Sequence, residues 1–106
     1  DSRAKKLAEE FEVGWRPMAR SWEAESEFAL IVQTTSAGME PNSELDSLPE
    51  FRFTGSEVVY ELIYAPAVTC FLQRAIDAGC VAVGGSEMLQ AQAVLQFEQF
   101  SSAYNL

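Results

Sequence analysis

Residues 57–100 carry the most regular apolar pattern of the chain, and that pattern leaves few architectures open. Val58, Val59, Leu62 and Ile63 form a short, nearly continuous apolar run, as in a strand covered on both faces. Pro66 is expected to open a helix, because a first-turn residue has no use for its amide hydrogen. Val68, Phe71, Leu72, Ala75 and Ile76 then recur at helical spacing, and Gly79 can take the left-handed conformation that closes a helix. Residues 80–83 make a second apolar run. Gly84, Gly85 and Ser86 turn it into a final helix whose apolar stripe includes Leu89, Ala93, Phe97 and Phe100. Strand, helix, strand, glycine turn, helix: a crossover of this length forces the two strands parallel, with right-handed connection. Open parallel sheets take ligands beyond the carboxyl ends of their strands, which here carry Tyr64 and the Gly84-Gly85 turn.

Composition narrows the function. At 106 residues there is room for one domain at most. The net charge of −9 argues against nucleic-acid partners and against binding to an anionic membrane, both of which need clustered positive charge. No apolar segment approaches the ~20 residues of a membrane span, and the charged start is unlike a signal peptide, so a cytoplasmic protein is expected. Cys70 and Cys80 lie too far apart for a close metal-binding pair, and two cysteines make no disulfide framework; free thiols are expected. The chain has no histidine, which excludes serine–histidine triads and histidine-bound zinc within it, and no metal site is expected.

Ala4, Leu7, Ala8 and Phe11 place a helix over residues 2–12, capped by Asp1 or Ser2. Residues 13–15 read as a short edge strand ended by Pro17, and 19–27 as a weak acidic helical turn. Residues 28–32 form the next buried strand, followed by small hydroxyl residues and glycine over 33–39, which let a ligand approach the backbone. Residues 40–55, with Pro41, Asn42, Pro49 and several serines, read as a surface excursion tacked down by Phe51 and Phe53.

The order Tyr60-Glu61-Leu62-Ile63-Tyr64-Ala65-Pro66, then Thr69, Gly85, Met88-Leu89, Gln92-Ala93 and Phe97-Glu98 resembles the shikimate dehydrogenase family. The resemblance implies an α/β fold, a Rossmann-like parallel sheet with helices on both faces. Only its rear portion is present: the glycine-loop strand–helix unit that cradles the cofactor's phosphates is missing. Residues 1–106 would be the C-terminal part of an NADP-binding domain, with 86–103 a helix packing toward a substrate domain. Members of the family reduce 3-dehydroshikimate to shikimate with NADPH, either as free enzymes or as the last part of a multifunctional polypeptide.

By the same resemblance, Thr34, Thr35, Gly38 and Met39 line the cofactor, and Gly85 and Met88 lie beside the nicotinamide ring. Arg3 matches a basic residue that holds the 2′-phosphate of NADP; without the resemblance, Arg3, Lys5 and Lys6 read first as a solvated helix face. Tyr64 would lie against substrate and nicotinamide, and Gln92 would hydrogen-bond the hydroxyls of shikimate, an amide offering both donor and acceptor. The family's catalytic lysine and aspartate lie earlier, so no catalytic residue is expected in this chain. Gln33, Glu61, Cys70 and Gly84 depart from the family's asparagine, aspartate, proline and aspartate; Cys70 is read as a small buried residue. Those departures also fit a non-catalytic interaction module built on half of a nucleotide-binding fold. A relative acting on quinate or using NAD is a further alternative.

Overall fold

The computed structural model describes residues 2–17 and 28–105. The elements run α1 (Ser2–Glu10), β1 (Leu30–Gln33), β2 (Val58–Glu61), α2 (Cys70–Asp77), β3 (Val81–Val83) and α3 (Gly85–Tyr104). The three strands form one parallel sheet in the order β1-β2-β3, with Leu30 opposite Val58 and Val58 opposite Val81. The expected parallel pair is therefore present, extended by β1: a partial Rossmann-like α/β sheet.

The core lies on one face of this sheet. Val59 of β2 packs with Phe71, Leu72 and Ala75 of α2, joined by Ile31, Leu48, Phe53, Cys80 and Ala82. Phe51 and Phe53 do tack the excursion down: their rings meet edge to face at 5.1 Å, and Phe53 meets Phe71 at 5.3 Å. Arg74 adds a polar clamp. Its guanidinium donates to both carboxylate oxygens of Asp46 and to the carbonyls of Leu48 and Phe51, at 2.6–3.2 Å.

Several elements differ from the sequence-based expectations. Pro66 does not open α2; it sits in the bend before it, and Thr69 is the N-cap. The Thr69 hydroxyl accepts the Leu72 amide, satisfying one of the orphan donors of the first turn, which proline at Pro66 could not do. Val68 accordingly precedes the helix and is exposed. Gly79 closes the helix as expected, at φ +90°.

Residues 13–15 form no strand: Val13 and Trp15 are exposed coil, with no neighbouring strand among the described residues to take their backbone hydrogen bonds. The expected helical turn over 19–27 lies outside the described residues. β1 is not buried as expected. Leu30 and Val32 are exposed, and with Val58 and Val81 they make an open apolar row on the face away from α2. The expected burial of β2 from both sides is thus met on one side by the described residues. Cys70 is exposed rather than buried, because the buried stripe of α2 runs through Phe71, Leu72 and Ala75; its thiol donates to the Ser43 carbonyl at 3.5 Å.

Candidate functional site

β1 and β2 end side by side, with Gln33 opposite Glu61, and both chains leave the sheet at the same rim. Beyond it lies a cavity of about 380 Å³, lined by Thr34, Thr35, Ser36, Met39 and Glu40 on one side and Leu62, Ile63, Tyr64 and Ala65 on the other. That volume lies in the range of small-molecule sites. The Glu40 amide bonds the Ala65 carbonyl at 3.3 Å and so ties the two walls together.

The loop after β1 is held from within. The Gln33 side-chain oxygen accepts the Thr35 amide, and its amide nitrogen donates to the Ala37 carbonyl. Gly38 sits at φ +96°, where a side chain is disfavoured, and a Cβ there would lie 3.0 Å from the Leu45 carbonyl and 3.3 Å from the Thr69 side chain. The loop rests directly on the residue that caps α2.

β3 reaches the same rim through its glycine turn. The Gly85 amide donates to the Ile63 carbonyl at 3.1 Å, and any Cβ on Gly85 would overlap the Leu62 carbonyl. Gly85 is therefore required by the chain's own backbone. Gly84, the N-cap of α3, offers no side-chain acceptor to the first turn.

The structure brings Thr34, Thr35, Met39 and Tyr64 to one cavity, with Gly38 buried behind the loop and Gly85 seated against the Leu62-Ile63 wall. Met88 lies about one turn into α3 and is half-buried. Gln92, a further turn on, is exposed and does not line the cavity. Arg3 lies on α1, exposed, and does not line it either.

The sequence reading left Ser36 and Glu40 unassigned, and it did not see the environment of Glu61. Glu61 is fully buried, and its Oε2 accepts the Thr69 hydroxyl at 2.6 Å. Burial raises its carboxyl above the ordinary range, and the Thr69 hydroxyl bonded to it, with the Gln33 amide nearby, offsets part of that. A signal was there: Val59 and Glu61 of β2 and Ile63 just beyond it alternate on the buried face, so an acidic residue occupies a core position.

Chemically, the cavity offers three hydroxyls, a pliable thioether and a phenol on a rigid parallel-sheet rim. Hydroxyls suit a polar ligand with hydrogen-bonding edges, and Met39 and Tyr64, lining the same cavity, suit a flat or apolar part of it. These residues fit the nicotinamide end of a dinucleotide. The glycine loop that would hold its pyrophosphate is not in the sequence.

An open parallel sheet with its cavity at the carboxyl rim defines the chain as part of a Rossmann-like α/β domain. Its relatives are specific. The chain is 47% identical over 75 residues to the shikimate dehydrogenase (NADP(+)) of Desulforamulus reducens, covering 68% of this chain and 25% of that protein. It is 40% identical over 103 residues to the enzyme of the same name from Ruegeria sp., covering 93% of this chain and 36% of that protein. It is 36% identical over 72 residues to the bifunctional 3-dehydroquinate dehydratase/shikimate dehydrogenase of Arabidopsis thaliana, covering 68% of this chain and 12% of that protein. The chain is thus a sequence relative of the shikimate dehydrogenase family, and it spans about a third or less of these relatives' length. No family model matches the chain, and no solved structure matches it.

Proposed function

We propose that the chain is the C-terminal part of a cytoplasmic, NADP-dependent shikimate dehydrogenase, interconverting 3-dehydroshikimate and shikimate within aromatic amino acid biosynthesis. One observation carries this reading: the segment holding Thr34, Thr35 and Met39, and Tyr64 far from it in sequence, line a single cavity at the carboxyl ends of two neighbouring parallel strands. The names of the relatives supply the reaction and the cofactor. No helix among the described residues is long and apolar enough to cross a membrane.

When bound, the cofactor would supply the hydride in its reduced form, NADPH, and take it up in its oxidised form, NADP+. The residues of this chain hold and orient. Thr34 and Thr35 offer hydroxyls to the cofactor, with Gly38 and Met39 shaping the same wall, and Gly85 and Met88 bound its nicotinamide side. Tyr64 donates its phenolic hydrogen toward the substrate. Gln92 serves the hydroxyls of shikimate once α3 packs toward the substrate domain. The exposed Leu95, Phe97 and Phe100 of α3 support such packing. Arg3 takes the 2′-phosphate. The acid–base pair and the glycine loop come from earlier parts of the same polypeptide.

Steady-state kinetics on the full-length polypeptide test this. Tyr64→Phe and Gln92→Ala should each raise KM for shikimate about tenfold, the worth of one lost polar contact, with KM for NADP nearly unchanged. An unchanged KM for shikimate in both variants would remove these residues from the site. Measurable shikimate oxidation by the 106-residue chain alone would overturn the division of labour.

A further inference from the structure

A buried polar cluster of Glu61, Thr69 and Gln33 adjoins the loop that forms one wall of the cavity. Glu61 has no exposed surface at all, and Thr69 and Gln33 beside it are almost as deeply buried. The Thr69 hydroxyl has two engagements: it accepts the Leu72 amide at 3.1 Å and donates to Glu61 Oε2 at 2.6 Å. A hydroxyl has one hydrogen to give, so the carboxylate fixes its direction and leaves the lone pairs for the helix cap. Oε1 of Glu61, equally buried, has no partner among the described residues. Burying a carboxyl with one oxygen unsatisfied is costly.

The cluster meets the cavity at two points. Thr69 is the surface on which Gly38 rests, at 3.3 Å from the place of its missing Cβ. Gln33, in register with Glu61, grips the Thr35 amide and the Ala37 carbonyl. Both ends of the loop over 34–38 are therefore set by side chains packed around Glu61. We infer that Glu61 is a positioning residue: through Thr69 and Gln33 it holds the 34–38 loop in the shape that forms the cofactor wall of the cavity.

The inference deepens the dehydrogenase reading and rests on it for the identity of the ligand. The test uses the full-length polypeptide and two substitutions of similar size. Glu61→Gln keeps an oxygen that can accept from Thr69; Glu61→Met fills the same space with no acceptor oxygen. Expected for Glu61→Met is a Kd for NADP weakened about tenfold, the worth of one well-made hydrogen bond, with KM for shikimate within about twofold of the parent. Glu61→Gln should restore NADP binding to within about threefold. Amide exchange over 34–38 should quicken in Glu61→Met and not in Glu61→Gln, with overall unfolding serving as control. Equal NADP binding by both variants, or shikimate and NADP constants rising together, would overturn the role, as would unchanged exchange in the loop. If the parent polypeptide neither binds NADP nor oxidises shikimate, the dehydrogenase reading fails, and the exchange comparison alone still decides whether Glu61 holds the loop.

Discussion

At the scale of single residues, two carboxyls on the buried side of this chain behave in opposite ways. Burial alone would raise Glu57, but the hydrogen bonds it accepts from the backbone and side chain of Thr54, and from Cys80, hold it down from 4.5 to about 2. Its oxygens bond the amides of Thr54 and Gly55 at 3.0–3.1 Å, closing the turn into β2. A carboxyl whose folded value is lowered contributes stability that is fully present above 4.5 and lost as pH falls through about 2. Glu57→Gln should destabilise the full-length polypeptide by about 1–2 kcal/mol at neutral pH, discounted because the turn it closes is solvated. The gap to the parent in denaturant unfolding should narrow toward pH ~2, where the parent's carboxyl also becomes neutral; a gap constant with pH would remove the charge from the explanation. Glu61 has the reverse sign: its raised carboxyl favours the folded state at low pH, and that advantage fades as pH rises through its folded value. Neither environment could be read from residue type. Glu57 and Glu61 look alike as residue types, and the hydrogen bonds each gains come from Thr54, Gly55 and Cys80 in one case and from Thr69 in the other.

Among elements, α2 organises the most. It covers the sheet, begins at a threonine tied to the buried cluster, and through Arg74 holds the excursion over 46–53. The planar guanidinium meets Asp46 and two carbonyls at once and lies 5.4 Å from the Phe53 ring centroid. An ammonium cannot reproduce that fork. Arg74→Lys should therefore cost about 1–2 kcal/mol and speed amide exchange at Leu48 and Phe51, leaving the cavity at the opposite strand ends intact. Unchanged exchange at both positions would show the clamp to be superfluous. The existence and order of α2, β3 and α3 were legible because their signals are local: helical spacing, a glycine for the left-handed position, a short β-branched run. The start of α2 was not. Pro66 and Thr69 are both good starters, and the choice fell to Thr69, whose hydroxyl is held by Glu61 across the strand–helix junction.

Across the whole molecule, the sheet is covered by α2 on one face, while Leu30, Val32, Val58 and Val81 stand open on the other. α3 likewise shows Leu95, Phe97, Phe100 and Tyr104 to solvent. So much exposed apolar surface suits a piece of a larger body. The 106-residue chain expressed alone should bind a hydrophobic dye such as ANS strongly and sediment as concentration-dependent oligomers, and the full-length polypeptide should do neither. A monomeric, dye-silent fragment would contradict this.

Short continuous apolar runs and a repeat of three to four residues, punctuated by Gly79, Gly84 and Gly85, were enough to write down parallel strands, a crossover helix and a rim where a ligand would collect, because such patterns act between near neighbours in the chain. Which face of β1 and β2 met α2, and which of the marked residues came to share one cavity, depended on the side of the sheet taken by each crossover. Contacts between residues far apart in the chain make that choice, and no local pattern encodes it.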